Sequence, residues 1–187
     1  MVNIIIPSHL TLNTLCLDLG LHTGWASFNV KTQSVDSGAV NLNKCRKFYG
    51  KGVHFELFFN FLNEKIEELK CNGEAEVFFE DVAAHLGTDA AHMFGGFRAI
   101  LYLVCQQKMV GVTGIPVGTI KKMATGKGSA KKEKMIEAVI NAGYSVYDHN
   151  QADALAMLLF STPYPFTEDF REMTPESKDN SQPRPLN

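Results

Sequence analysis

Apolar and polar positions alternate along the first forty residues, and that period of two predicts strands. Thr14–Leu19 is an apolar run, Trp25–Val30 alternates, and Val35–Leu42 reads as a third strand. The links between them, Gly20-Leu-His-Thr-Gly24 and Lys31–Ser34, are rich in turn residues, so the three form an antiparallel meander. From about Val53 the period becomes helical. Phe55, Phe58, Leu62, Ile66 and Leu69 share one face, Glu64, Lys65, Glu67 and Glu68 take the other, and Asn72-Gly73 ends the helix. Ala75–Phe79 is a short buried strand ending at Glu80. Thr88 caps a second helix that runs to about Gln107. Val110–Ile115 is a further strand, and Pro116 opens a short helix as an N1 proline. Gly126-Lys-Gly128 breaks that helix, Ser129 caps a lysine-rich one ending near Ala142-Gly143, and a last helix runs from around Asn150 to before Pro163. The order βββ-α-β-α-β-α-α-α is that of a mixed α/β chain rather than a uniform βαβ repeat.

The chain has 187 residues and is 45% hydrophobic, enough for one domain with a real core, here residues 1–161. Beyond Ser161 come five of the seven prolines, so residues 162–187 read as an extended or disordered polar tail. No apolar stretch approaches a membrane span, and Ile4-Ile-Ile-Pro7 is too short for a signal core. Cys16, Cys45, Cys71 and Cys105 form no CxxC pair, and Cys16 and Cys105 lie in apolar runs, so buried free thiols and a reducing, cytosolic setting are expected. Trp25 is expected in the core. The net charge of −2 announces no polyanion, but its distribution is uneven. Residues 108–134 hold seven lysines (108, 121, 122, 127, 131, 132 and 134) against the single acid Glu133. One lysine alone reads as a solvated side chain, whereas the loop as a unit suits a polyanion.

Three segments carry the candidate chemistry: Leu15-Cys-Leu-Asp-Leu-Gly-Leu-His-Thr-Gly24, Val77-Phe-Phe-Glu-Asp81 and Asp148-His-Asn-Gln-Ala-Asp-Ala-Leu-Ala156. Asp18 and Glu80 each end an apolar run, and Asp153 opens an apolar helical stretch. An acid at the rim of a core is costly unless paired. Three brought together repel unless cations sit among them, which points to a divalent-metal site. Asp81 ends the same strand as Glu80 and stands as its alternative, because successive side chains point to opposite faces.

Those segments, in that order and with Ile120-Lys-Lys-Met-Ala-Thr-Gly-Lys-Gly-Ser-Ala-Lys-Lys132 before the last, resemble the RuvC family of Holliday-junction resolvases, and more closely its phage-type branch. The resemblance covers roughly Leu15 to Leu159. It implies an RNase H-like fold, a five-stranded mixed sheet flanked by helices, in which Asp18 and Glu80 meet at neighbouring strand ends. The final helix then delivers Asp153 and, one turn earlier, Asn150. The implied activity is cleavage of four-way or other branched DNA by two-metal phosphodiester hydrolysis. Asp18, Glu80, Asn150 and Asp153 would hold two Mg²⁺, or Mn²⁺ as substitute, with no covalent protein nucleophile. Lys121 and Lys132 match basic residues that assist cleavage by stabilising transition-state charge. Lys122, Lys127 and Lys131 would hold flanking phosphates. The family commonly has Asp or His where this chain has Asn150, which leaves His149 or Asp148 open as replacements. The helix containing Gly87-Thr-Asp-Ala-Ala-His-Met-Phe-Gly-Gly-Phe97 implies a homodimer interface through Gly95-Gly96, with intramolecular packing the equal alternative. His85 and His92 read as packing or DNA-contact residues. A phage origin would make the compartment the cytosol of a bacterial host.

Other readings compete. Asp18-Leu-Gly-Leu-His-Thr-Gly24 also suits an actin-like ATPase or sugar kinase, but such proteins need two domains and further glycine-rich loops. A junction binder without chemistry, and an RNase H-like nuclease acting on RNA or hybrid, use the same residues.

Overall fold

The computed structural model describes residues 4–43, 50, 52–84 and 87–162. Five strands build one sheet: β1 (Asn13–Asp18), β2 (His22–Asn29), β3 (Ser34–Asn41), β4 (Ala75–Asp81) and β5 (Gly111–Pro116), in the order β3-β2-β1-β4-β5. The meander β1-β2-β3 is antiparallel, whereas β4 and β5 run parallel to β1. Helices α1 (Gly52–Lys70), α2 (Thr88–Lys108), α3 (Val117–Thr125), α4 (Lys132–Asn141) and α5 (His149–Phe160) complete the fold. This is the mixed α/β order read from the residues and the five-stranded mixed sheet flanked by helices that the resemblance implied. None of the described helices is long and apolar enough to cross a membrane.

Strand parity sorts the core into two layers. Leu15, Leu17, Val77 and Phe79 face α1 and α2, where Phe58, Leu62, Ile66, Phe97, Leu101 and Val104 are buried against them. Cys16, Ala26, Phe28, Phe78 and Ile115 face the other way, onto Ile120 of α3, Met135 and Val139 of α4, and Ala154 to Leu158 of α5. Full burial of a large apolar side chain stabilises by about 2 kcal/mol, so each layer anchors its helices independently. α5 is buried nearly all round, which requires its small residues Ala152, Ala154 and Ala156. Cys16 and Cys105 are buried free thiols and Cys71 an exposed one, while Cys45 lies outside the described residues.

Several boundaries differ from expectation for local reasons. Gly24 belongs to β2 rather than to the turn, because the link closes earlier: Thr23 Oγ1 donates to the Gly20 carbonyl at 2.7 Å. Gly87 rather than Thr88 occupies the N-cap of α2, and Pro116 the N-cap rather than N1 of α3. Gly126 breaks α3 in the left-handed conformation at φ 79°. The cap of α4 is Lys131, not Ser129, because residues 127–130 first close a turn through Ala130 N–H and the Lys127 carbonyl. Asp148 caps α5, its carboxylate accepting from the backbone N–H of Asn150 and Gln151. Trp25 is half-buried rather than central, with the Lys65 ammonium 4.0 Å over its ring. Ser161 and Thr162 are still buried; the tail from 163 on and His85 lie outside the described residues.

Close approaches at two of the glycines bear on how the helices dock. A Cβ on Gly24 would lie 2.0 Å from the Asn150 carbonyl oxygen, so the first turn of α5 rests directly on β2 backbone. A Cβ on Gly96 would meet the Phe55 ring at 2.5 Å, so this glycine serves α1–α2 packing within the chain. A Cβ on Gly95 meets nothing. We expect Gly24→Ala to lower unfolding free energy by about 1–3 kcal/mol, the cost of overpacking. Gly95→Ala, filling open space in mid-helix, should raise it by about 0.5–1 kcal/mol. Urea unfolding of both variants checks the opposite signs.

Candidate active site

Register decides which acids meet. Leu17 of β1 pairs with Phe79 of β4, so Asp18 and Glu80 follow one step later at adjacent strand ends. Both share the face of Cys16 and Phe78, under α5. Asp81 alternates to the other face, where the Arg98 guanidinium of α2 sits 3.4 Å from its carboxylate. Asp81, the alternative to Glu80, thus lies on the opposite face of the sheet from Asp18. Asp18 also stands opposite Gly24 in the β1–β2 register, and Gly24 carries the first turn of α5. Asp153 projects from that helix towards the same place, with Asn150 three positions earlier on the same face.

The electrostatics report the proximity. Burial, then the charge of Glu80 and a hydrogen bond with it, then Asp153, hold the Asp18 carboxyl well above the usual carboxylate range, and Lys132 pulls it back down. Like charges brought this close make ionisation of Asp18 costly when no cation stands among them. Burial and then Glu80 push Asp153 up to about 6, against the lowering influence of Lys132, Lys121 and His149. Lys132 opens α4 and Lys121 lies on α3, so two lysines from different helices face the acids. Lys122, Lys127 and Lys131 are exposed on the same α3–α4 segment.

Among the described residues, no three His, Cys, Asp or Glu side chains close on one point as a ready-made metal cage. The donor chemistry nonetheless fits a hard divalent cation. Asp18, Glu80 and Asp153 offer oxygen alone, and their mutual repulsion is what a cation would relieve. One carboxylate oxygen of Asp148, Oδ1, caps α5 at 2.8 Å from the Asn150 N–H. His149 is exposed one residue away and acts on Asp153 electrostatically. His92 is exposed beside Asp89 and Met93 at the start of α2, lining a cavity of about 760 Å³ with Phe55, Phe94 and Phe97.

Two positioning residues escaped the sequence reading. Gly24 was assigned to a turn, although its role is a backbone contact with Asn150. Gln151 is buried, its Nε2 donating to Ser37 Oγ at 3.0 Å and its Oε1 accepting from the Tyr147 N–H at 2.9 Å. The Asp148 cap was readable, as an Asp immediately ahead of a helix.

No protein-family model matches the chain, and no curated protein matches it. Solved structures do. RuvC of Thermus thermophilus in complex with a Holliday junction substrate is 18% identical, with a TM-score of 0.63 over 79% of this chain and 91% of that one. A further Thermus thermophilus RuvC structure is 15% identical, with a TM-score of 0.56 over 79% and 92%. The yeast mitochondrial Holliday junction resolvase Ydc2 is 12% identical, with a TM-score of 0.52 over 83% and 77%. At such identities the likeness is one of fold, and the fold is RuvC-like within the RNase H-like class.

Proposed function

We propose that this chain is a metal-dependent, structure-selective endodeoxyribonuclease that resolves four-way or other branched DNA by paired phosphodiester hydrolysis. The observation that carries the reading is the convergence of Asp18, Glu80 and Asp153 beside Lys121 and Lys132. The RuvC-like fold, shared with a protein solved on a Holliday junction, supports it. The phage-type branch rests on the Gly126 loop and the Asn150-to-Ala156 segment.

In this reading Asp18, Glu80 and Asp153 are the metal ligands, with Asn150 contributing a neutral amide oxygen to a second position. Two Mg²⁺ ions there supply Lewis-acid stabilisation of the attacking and leaving oxygens. Lys132 and Lys121 hold positive charge against the reacting phosphate, and Lys122, Lys127 and Lys131 position its neighbours. Asp148 orients the first turn of α5 by its cap, which keeps Asn150 and Asp153 on one face. Paired cuts require two such sites, hence a homodimer. Gly96 is consumed by Phe55, so of the two glycines only Gly95 is left for close approach by a second copy. A junction binder without chemistry is the second reading, favoured by one feature: Asn150 brings no negative charge where the related proteins commonly have an ionisable side chain.

A labelled synthetic four-way junction beside a matched linear duplex, with Mg²⁺, Mn²⁺, Ca²⁺ or chelator, tests the proposal. Symmetric paired nicks in Mg²⁺ or Mn²⁺, on the junction alone, are expected. Binding without nicks in every metal would select the second reading, and neither binding nor cutting would overturn both. Branched DNA, hybrid and structured RNA run side by side identify the nucleic acid. Asp18→Asn should abolish cutting and spare binding, while Lys132→Ala slows cutting more than it weakens binding. Glu80→Gln should likewise abolish cutting, whereas Asp81→Asn keeps it within about twofold, because that pair is half-exposed on the far face.

The carboxyl repulsion also has a signature without DNA. The unfolded chain gives up the Asp153 proton near pH ~3.9. The folded chain holds it to about 6. Between those values the folded state binds more protons, so this group's contribution to stability falls as pH rises through the window and is flat above it. In metal-free buffer Asp153→Asn should therefore gain Tm over the parent between pH 4 and 6 and keep the gain above. Added Mg²⁺ should raise the parent's Tm above pH 6 more than the variant's. Parallel Tm–pH profiles would show that Asp153 is not under strain.

A further inference from the structure

Tyr147 is 89% exposed, one of the most exposed large side chains among the described residues. The other described tyrosines are engaged: Tyr144 donates its hydroxyl to the Ile5 carbonyl at 2.7 Å, and Tyr102 stacks edge-on against Phe79 at 5.8 Å. Yet the backbone at Tyr147 is held on both sides. Val146 packs against the core layer under α5, and Asp148 is fixed as the cap of that helix. The Tyr147 N–H itself donates to Oε1 of buried Gln151, whose Nε2 is anchored on Ser37 of β3. The ring is thus presented to solvent from a pinned chain rather than from a loose loop.

Its position relates it to the acids. It lies three positions before Asn150, a reach of about 10 Å at most. Sheet order sets the direction. The lysine segment begins at the β5 edge, the acids stand on β4, β1 and α5, and Tyr147 lies by Ser37 at the β3 edge. A strand running from the lysines across the acids and on in the same direction would pass towards the β3 edge, where Tyr147 is tied through Gln151 to Ser37. Aromatic rings bind unstacked bases on their faces without reading sequence, and tyrosine does so with little entropy to lose.

We infer that Tyr147 is a stacking platform for a nucleobase that has lost its stacking partner at the branch point, next to the phosphate held at Asp18, Glu80 and Asp153. The inference rests on the nuclease reading and adds to it the residue that selects branched over linear DNA. A paired, stacked duplex offers no free base face, so the platform favours only substrates with interrupted stacking.

The test uses the Asp18→Asn chain in Ca²⁺, so that cleavage does not intervene, and four-way junctions carrying 2-aminopurine at each branch-point position. Stacking on Tyr147 quenches the probe at one or two of these positions. Tyr147→Phe in that background should keep both quenching and affinity. Tyr147→Ala should lose the quenching and bind the junction about tenfold more weakly, the size of one base–aromatic stack, with its affinity for matched linear duplex unchanged. An unaltered Tm shows that the exposed ring is not needed for folding. Equal quenching and affinity in the Ala variant would overturn the platform and leave the nuclease reading standing. Equal loss on junction and duplex would also overturn it, making Tyr147 a general DNA contact. No junction binding by the Asp18→Asn parent would overturn the nuclease reading and the platform together.

Discussion

The first turn of α5 lies on the bare backbone of β2. Asn150 can sit there only because Gly24 has no side chain, and much follows from that contact. It lowers a nearly all-buried helix onto the centre of the sheet, places Asp153 over the ends of β1 and β4, and brings the Asp148 cap and Gln151 against the β3 edge. Any larger residue at position 24 would hold the third carboxylate away from the other two. Packing geometry at one atom-sized gap therefore governs electrostatics several residues away.

That electrostatic arrangement is unfavourable taken alone. Burial and the charge of Glu80 hold the Asp18 carboxyl well above the usual range, and Asp153 is pushed up to about 6. The two core layers supply the stability that offsets this strain, since neither relies on the acids for its packing. The lysines of α3 and α4 reduce it from outside without quenching it. A cluster in this condition is eased by positive charge placed beside it, and such strain is tolerated where structure over-determines it.

Much of this was legible in the residues. The strand and helix periods gave the five strands and five helices, because one-sided burial imposes those periods directly. Asp18 and Glu80 stood out as acids terminating apolar runs. What periodicity does not carry is which face a strand turns towards which helix, so Asp81 stayed open behind Glu80, and the structure turns it to the face of Arg98. Gly24 was hidden for a related reason. Glycine near a polar link signals a turn, whereas its need here comes from Asn150, distant in sequence. Ser129 was a sound cap by residue type, but a turn through Lys127 and Ala130 delays the helix by two residues. Tyr147 and Gln151 were silent because exposure and a buried amide bridge are tertiary properties.

The order of the described elements bears on how such a molecule is made. β1 is central to the sheet, yet its parallel partner β4 is separated from it by the rest of the meander and all of α1, and α5 comes last. Pairings of that separation form late, after their loop-closure cost has been met. During synthesis the first two carboxylates can be in register while the third is still unmade or undocked. The acid cluster therefore exists only in chains that have passed the final step of assembly. A nascent or half-folded copy therefore has the lysines in its sequence without the assembled acids beside them.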